Sequence, residues 1–386
     1  MGGNAGLPTL QVPRYGEASL PDLTPSLLSA AGVSGQPNVL GIEPCRGFCV
    51  FLIDGLGWEQ LRRHAGAAPF MAKHGERFLS APFPSTTSAS LASIGTGLPP
   101  GNHGLVGYTF AVEGFDRPMN SLLWELYGIG PHVGLAERVV PEEFQPHRTM
   151  FQRGQEAGLS VTVVAPAPYE GSPFSRAALR GGEFIGAYWF EDMLAAAASA
   201  LRRPRPALYV YHPDLDTTGH AVGVGADAWI DQLGRFDRLV ESLAAELPPG
   251  CLLAATGDHG MVTLEEKIDV GDTPELLDGV RMMAGDARAR QLYVEPGAAE
   301  QVGETWRAVL GDRMLVVGKD EAIAGGWFGP MVEDPVRKRI GDVIAVARSA
   351  VGIFQRDVDP LYASLLGHHG SMTPAEQLVP WIEVRR

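Results

Sequence analysis

The stretch FCVFLIDG, Phe48–Gly55, decides how the chain is read. Six apolar residues run without interruption and stop at an Asp-Gly pair. A run that is apolar at every position, rather than at alternate ones, suits a strand buried on both faces. The same shape returns in LSVTVVA (Leu159–Ala165), which ends at Pro166, and in ALYVY (Ala207–Tyr211), which runs into HPDLD. It returns again in CLLAA (Cys251–Ala255), which runs into TGDHG. Helical patterns lie between these runs, at Met150–Ala157, Glu191–Arg202 and Ala226–Leu247, and a further helix is expected over Trp58–His64. Strands alternating with helices at this spacing predict an α/β fold, a mostly parallel central sheet with helices on both faces.

The rest of the chain is arranged around that core. Residues 1–45 read as an N-terminal extension packed on it, with a short helix within Leu20–Ala31. Residues 46–274 and 361–386 form the core itself. Residues 275–360 mix short strands (QLYVEP, RMLVVG, VIAVA) with helical character at Trp306–Leu310, and read as a small α+β insertion. The 386 residues are 45% hydrophobic and 20% charged, an ordinary globular balance. The net charge of −14 argues against a nucleic-acid polymer or an anionic membrane as partner. Three cysteines, Cys45, Cys49 and Cys251, give neither a zinc knuckle nor a disulfide framework. Buried free thiols in a reducing compartment are expected. The N-terminus shows no basic start followed by an apolar run, and no uncharged apolar 18-mer occurs. A cytoplasmic protein with no leader and no membrane span is therefore expected.

Ligands in open α/β sheets gather beyond the carboxyl ends of the strands. Asp54, Asp216 and Asp258 each follow an apolar run, so parallel neighbours would bring three carboxylates to one edge. One such acid alone is as readily a turn or helix-cap residue. The histidines tip the balance. DTTGH sets Asp216 and His220 four apart, on one face of a helical turn. Asp258-His259 is flanked by Gly257 and Gly260, and Gly367-His368-His369-Gly370 supplies one more imidazole. Asp54, Asp216, His220, Asp258, His259 and one of His368/His369 make an oxygen-and-nitrogen set without thiolate, which suits Zn²⁺, with Mn²⁺ as the alternative. Six ligands fill two sites of three, each with an open position. Two cations so placed stabilise both the attacking and the leaving oxygen of an in-line displacement. They also offset three carboxylates that would otherwise repel a phosphate ester.

A second stretch, FPSTTSASLASIGTG (Phe83–Gly97), carries seven hydroxyls and no charge. Leu91, Ile94 and Leu98 recur at helical spacing and predict a short helix over Ser88–Gly95. Thr86, Ser88 and Ser93 suit caps or packed hydroxyls, and His103 downstream reads as structural. A hydroxyl at the helix start is better placed. Free backbone N–H groups there meet a phosphate oxygen, and metal coordination lowers the hydroxyl pKa enough to make it a nucleophile.

Taken in order, Asp54, FPSTTSAS…TG, DTTGH, DHG and GHHG resemble the alkaline phosphatase superfamily. The branch they look most like is that of type I phosphodiesterases and nucleotide pyrophosphatases. The resemblance runs over about Val50–Phe110, Val161–Val262 and Leu366–Ile382. It implies a threonine nucleophile after Phe83-Pro84, where Thr86 and Thr87 both qualify and Thr87 is favoured. It implies one divalent metal on Asp54, Thr87, Asp258 and His259, and another on Asp216, His220 and His369. The implied activity is hydrolysis of a small phosphorylated substrate, such as a nucleotide, through a metal-bound threonine and a phospho-threonine intermediate. A phosphomonoesterase or phosphonate-cleaving relative would use the same site, and a metal-stabilised binding protein without turnover is the third reading. A sulfatase is disfavoured, because no Cys/Ser-x-Pro-x-Arg occurs at the nucleophile position. Asp214 adjoins Asp216 but lacks the Gly-His partner. One departure stands out: nucleotide-cleaving relatives carry an Asn after the nucleophile helix, whereas Gly104–Met119 has none and Asn120 is the nearest. Tyr108 and Phe110, with Trp124 and Tyr127, are expected either to stack on a base or another apolar leaving group or to form an aromatic minicore. Arg176 and Arg180 read as contacts to a distal phosphate or as surface pairs.

Overall fold

The computed structural model describes residues 9–386. The first eight residues, where part of the leader reading and of the 1–45 extension falls, lie outside the described residues. Seven strands form the central sheet, in the order Arg77–Ser80, Leu378–Arg385, Cys251–Thr256, Gly47–Ile53, Pro206–His212, Ser160–Ala165, Glu183–Gly186. The last five in that order pair in parallel, while Leu378–Arg385 is antiparallel to both of its neighbours.

Gly47–Ile53 is buried at every position because both of its faces are covered. Phe48, Val50 and Leu52 point to one face, where the helices Leu20–Ala30 and Thr87–Thr96 pack. Cys49, Phe51 and Ile53 point to the other, against Phe190–Leu201 and Asp227–Ala245. The period-two alternation of a strand therefore survives in a run with no polar residue, since each face meets an apolar layer. The helix Leu20–Ala30 begins at Ser19, whose backbone N–H and hydroxyl both donate to Asp22 Oδ2 (3.0 and 2.6 Å). Its Leu20, Leu23 and Leu27 are fully buried.

A second sheet lies downstream. Val280–Asp286, Ala289–Val294, Val343–Ala347 and Met314–Gly318 pair antiparallel in that order, and the helix Ala299–Leu310 packs Trp306 into the layer beside them. This sheet is tied to the core by a buried ion pair. Arg288 donates from Nε and Nη2 to the two carboxylate oxygens of Glu376 (2.6 and 2.7 Å), and both side chains are within 1% of full burial. Glu376 also accepts from Ser371 N (3.0 Å) and Thr373 Oγ1 (2.5 Å), which fixes the chain just after His369. All three cysteines are free thiols; Cys49 and Cys251 are buried, but Cys45 is half-buried, because it sits at the surface end leading into the first core strand. Among the described residues, no helix is long and apolar enough to cross a membrane.

Candidate metal centre

Strand register levels the carboxyl edge of the sheet. Ile53 lies opposite His212, and Leu52 opposite Thr256. The chain leaves all three strands at one height, and the polar residues just beyond them converge. Asp54 and Asp258 gather with His259, whose Nε2 lies 3.5 Å from Asp54 Oδ1 and 3.3 Å from Asp258 Oδ2. Asp216, on the helix Asp214–Val222, gathers with His220 and His369 at 3.2 and 3.9 Å. The two groups adjoin, since the His259 and His369 rings stack with centroids 3.7 Å apart and 16° between planes. Gly55 makes this closeness possible. Its φ of +76° favours glycine, and a Cβ there would meet Asp216 Cα at 2.9 Å.

Each of the three imidazoles is oriented by a backbone carbonyl. Nδ1 of His220 meets Gly367 O at 2.7 Å, Nδ1 of His259 meets Gly260 O at 3.0 Å, and Nδ1 of His369 meets Ser85 O at 2.9 Å. A carbonyl can only accept, so Nδ1 carries the proton and each Nε2 offers its lone pair to the carboxylates' side. The carboxylates answer. Asp54 Oδ1, Asp216 Oδ1 and Asp258 Oδ2 are buried with no hydrogen-bond partner. Two of the other oxygens are held: Tyr211 OH donates to Asp54 Oδ2 (2.5 Å), and the N–H groups of Gly55 and His259 donate to Asp258 Oδ1 (both 3.0 Å). Three orphaned oxygens and three lone-pair nitrogens in one pocket are a donor set lacking its acceptor, and divalent cations fit it.

The electrostatics agree. Burial, then the charges of Asp258 and Asp216, push the Asp54 carboxyl well above the usual range. Burial also raises Asp258, with His259 opposing. The second group behaves differently. Burial disfavours the charge on Asp216, but His220 and His369 overcome it and hold the carboxyl below its usual range. Burial, then the neighbouring His259, pushes His369 well down. A cation in the first group would supply the countercharge that its two carboxylates lack.

The hydroxyl stretch resolves residue by residue. The helix spans Thr87–Thr96, is buried throughout, and ends at Gly97 in the left-handed region (φ 67°). Ser85 donates to Ser371 O, Ser88 to Gly107 O, Ser90 to Asp258 O and Thr96 to Ala92 O, while Ser93 pairs with His103. Thr86 donates to Asp286 Oδ1 at 2.9 Å. Thr87 alone faces the polar edge, with Oγ1 3.2 Å from His259 Nε2.

Several expected residues lie elsewhere. Asp214 accepts from Tyr188 OH (2.7 Å) and takes no part in either group. His368 turns Nε2 to Leu365 O (3.2 Å), so His369 is the imidazole that reaches the edge. Phe110, expected either against substrate or in a minicore, is fully buried and stacks on Phe144, against which Trp124 packs edge-on. These rings form a minicore and have no free face, which corrects the substrate-facing expectation for Phe110. Tyr108 is half-buried, and its hydroxyl accepts from Asn120 Nδ2 at 2.9 Å. Asn120 is therefore engaged with Tyr108 and, through Oδ1, with Leu122 N and Leu123 N. Arg176 forms a bidentate pair with Glu142, and Arg180 donates to backbone carbonyls. Sequence reasoning passed over Asp286, Tyr211 and the Arg288–Glu376 pair. No spacing marks them, since they reach the site from other strands or from the second sheet.

The family model of the type I phosphodiesterases/nucleotide pyrophosphatases matches residues 48–372, most of the chain. The chain belongs to that family. It is thereby a hydrolase of phosphoric ester or diphosphate bonds within the alkaline phosphatase superfamily. Solved structures share its fold. Murine ectonucleotide pyrophosphatase/phosphodiesterase 5, an inactive threonine-to-alanine variant in complex with AMP, is 17% identical over 88% of both chains with a TM-score of 0.64. Phosphonoacetate hydrolase from Sinorhizobium meliloti 1021, in complex with phosphonoacetate, is 21% identical over 88% of this chain and 90% of that one, with a TM-score of 0.65. No curated protein sequence matches the chain.

Proposed function

We propose that this family member is a dimetal phosphoester hydrolase that uses Thr87 as its nucleophile. The observation that carries the reading is the hydroxyl accounting. Six of the seven hydroxyls in Ser85–Thr96 are bound to backbone carbonyls, His103 or Asp286, and only Thr87 Oγ1 meets a side chain of the two acid–histidine groups. The inactive murine relative, in which a threonine is replaced by alanine, supports the same choice.

Asp54, Asp258 and His259, with Thr87, would hold one cation; Asp216, His220 and His369 would hold the other, most readily Zn²⁺ with Mn²⁺ as the alternative. Bound there, the cations supply Lewis acidity that lowers the Thr87 hydroxyl pKa and neutralises charge on the phosphoryl oxygens. The chain's own groups do the rest. Thr87 heads its helix, so the unpaired N–H groups of the first turn meet a phosphoryl oxygen. The Thr87 oxygen forms a bond to phosphorus in line with the departing ester oxygen, and the hydroxyl proton passes to solvent. Water then cleaves the phospho-threonine ester and restores the hydroxyl. Carbonyls of Ser85, Gly260 and Gly367 keep the three rings aligned through both steps.

Phosphonate cleavage is the second reading, favoured by the structural likeness to phosphonoacetate hydrolase. The substrate would be a small phosphorylated molecule, a nucleotide among them, and the cytoplasm suits three free thiols. The test is a panel of bis-p-nitrophenyl phosphate, p-nitrophenyl phosphate, a nucleotide diester and phosphonoacetate, each with Zn²⁺ and Mn²⁺. A diester preference and acid-stable phosphate on Thr87 by mass spectrometry are expected. Turnover with no phosphate ever trapped on Thr87 and full activity in Thr87→Ala would overturn the mechanism.

A further inference from the structure

Beside Tyr362 lies an open cleft of about 300 Å³ between the 116–129 segment and the strand Val280–Asp286. Its walls include Met283, Ile129 and Phe354, and three arginines, Arg117, Arg281 and Arg290, line it. Arg290 is 6% exposed. Its described hydrogen bonds run to backbone carbonyls alone: Nε and Nη2 to Ile353 O (2.9 and 2.6 Å) and Nη1 to Gly285 O (3.0 Å). A guanidinium has five N–H groups, so two remain. No described carboxylate forms an ion pair with it. The buried Asp286 carboxyl feels its charge but makes no hydrogen bond to it. A buried cation with no hydrogen-bonded counter-charge is costly, and an anion at the site relieves that cost.

The acids nearby spend their oxygens elsewhere: Asp286 accepts from Thr86 Oγ1 and Tyr108 N. Asp359 turns its oxygens to Tyr127 OH (2.8 Å) and Tyr362 N (2.8 Å). Asp116 is exposed. Arg281 is exposed too and has no described ion pair, so a cation also waits at the mouth. We propose that this cleft binds a small organic anion, its carboxylate or phosphate held between Arg290 and Arg281 and its apolar remainder against Met283, Ile129 and Phe354. The ligand touches the metal edge through one ring. Tyr362 lines the cleft, stacks on Tyr108 (5.8 Å, 20°) and packs edge-on against His368 (5.0 Å), the residue before His369. The anion is either a separate small molecule or the far end of the substrate.

Isothermal titration of the metal-loaded protein with succinate tests binding without any hydrolysis. Saturable 1:1 binding is expected, weakened about tenfold in Arg281→Gln, which removes a charged donor at an exposed position and leaves the fold intact. Binding that persists with orthovanadate on the metal edge identifies a separate ligand. The second arm compares hydrolysis of bis-p-nitrophenyl phosphate with a p-nitrophenyl diester that carries a carboxylate on its second alcohol. A KM raised about tenfold by Arg281→Gln for the carboxylated ester alone identifies the substrate's own distal group. The inference is overturned if neither succinate affinity nor that KM responds to Arg281→Gln. Failure of hydrolysis in every ester would strike the proposed function and leave the succinate arm standing.

Discussion

The two acid–histidine groups look alike in sequence and differ in surroundings. Asp54, Asp258 and His259 have side chains 0–4% exposed, at strand ends gripped by backbone N–H groups and Tyr211. Asp216, His220 and His369 are 10–18% exposed, on a helix and a loop at the open edge. The first group holds two carboxylates against one imidazole; the second holds one carboxylate against two imidazoles. In the proposed mechanism the dry group would position the nucleophile against a fixed cation. The wetter group would admit water and release the leaving oxygen. Thr87 belongs to the dry group, and this gives the largest expected effect. Thr87→Ala should lower kcat by about 10³-fold or more while metal analysis still finds both cations. Thr86→Ala should change kcat by about tenfold at most, because Thr86 acts on Asp286 and not on substrate. Equal losses in the two variants would break the assignment.

The next effect falls on the open group alone. Glu376 fixes the loop after His369 through Ser371 N and Thr373 Oγ1, and it neutralises the buried Arg288. Glu376→Ala leaves that guanidinium buried without its partner and should cost about 3–5 kcal/mol in unfolding free energy. Denaturant titration of the wild type and variant measures it. Double replacement by Glu376→Gln with Arg288→Met should recover part of the loss, because no unpaired charge then remains. If the double variant is less stable than Glu376→Ala, the ion pair is not what secures the loop.

The sheet and the dry group were legible because both are written locally. FCVFLI and its counterparts carry the strand signal within six residues, and Asp54 and Asp258 follow within two residues of their strands. The Thr87 helix was legible for the same reason, though the structure starts it at Thr87 and not at Ser88. Phe110 was left with two readings, because aromatic residues in an irregular segment look the same whether they face a ligand or Phe144. Asp286 was invisible. It lies about 200 residues from Thr86 in sequence and reaches it only because the second sheet docks against the Thr87 helix. Pairing across such a separation leaves no periodicity to read.

Asp286 is bound to Thr86 on one side and packed under Gly370 on the other. Gly370 has φ +126°, and a Cβ there would meet Asp286 Cβ at 2.7 Å. Burial pushes the Asp286 carboxyl up to about 6 from its ordinary 3.8, with Thr86 opposing. The folded protein thus binds this proton more tightly than the unfolded chain. The resulting stabilisation is full below pH 3.8 and is lost as pH rises through about 6. Asp286→Asn should remove that decline, so that variant and wild type diverge by up to about 3 kcal/mol between pH ~4 and pH ~7. Unfolding free energies taken across this range, on metal-loaded protein, give the slope. Parallel curves for the two proteins would show that Asp286 does not titrate there.

The smallest effect probes the dry group by itself. Tyr211 OH holds Asp54 Oδ2 at 2.5 Å and leaves Oδ1 free for a cation, while burial and the Asp54 charge keep its phenol protonated well past its ordinary pKa. Tyr211→Phe keeps the ring on its neighbours and removes this one donor. Groups that orient a ligand from behind are worth about 10–100-fold in metal affinity. The loss should fall on one cation of the two, so competition with a chelator should become biphasic, one metal leaving about tenfold more readily and the other unchanged. The carboxylate would also lose its stabilising hydrogen bond, which raises Asp54 further and makes the weakened metal more sensitive to acid. If both metals weaken together, the two groups are coupled through the stacked His259 and His369 rings and do not act as separate sites.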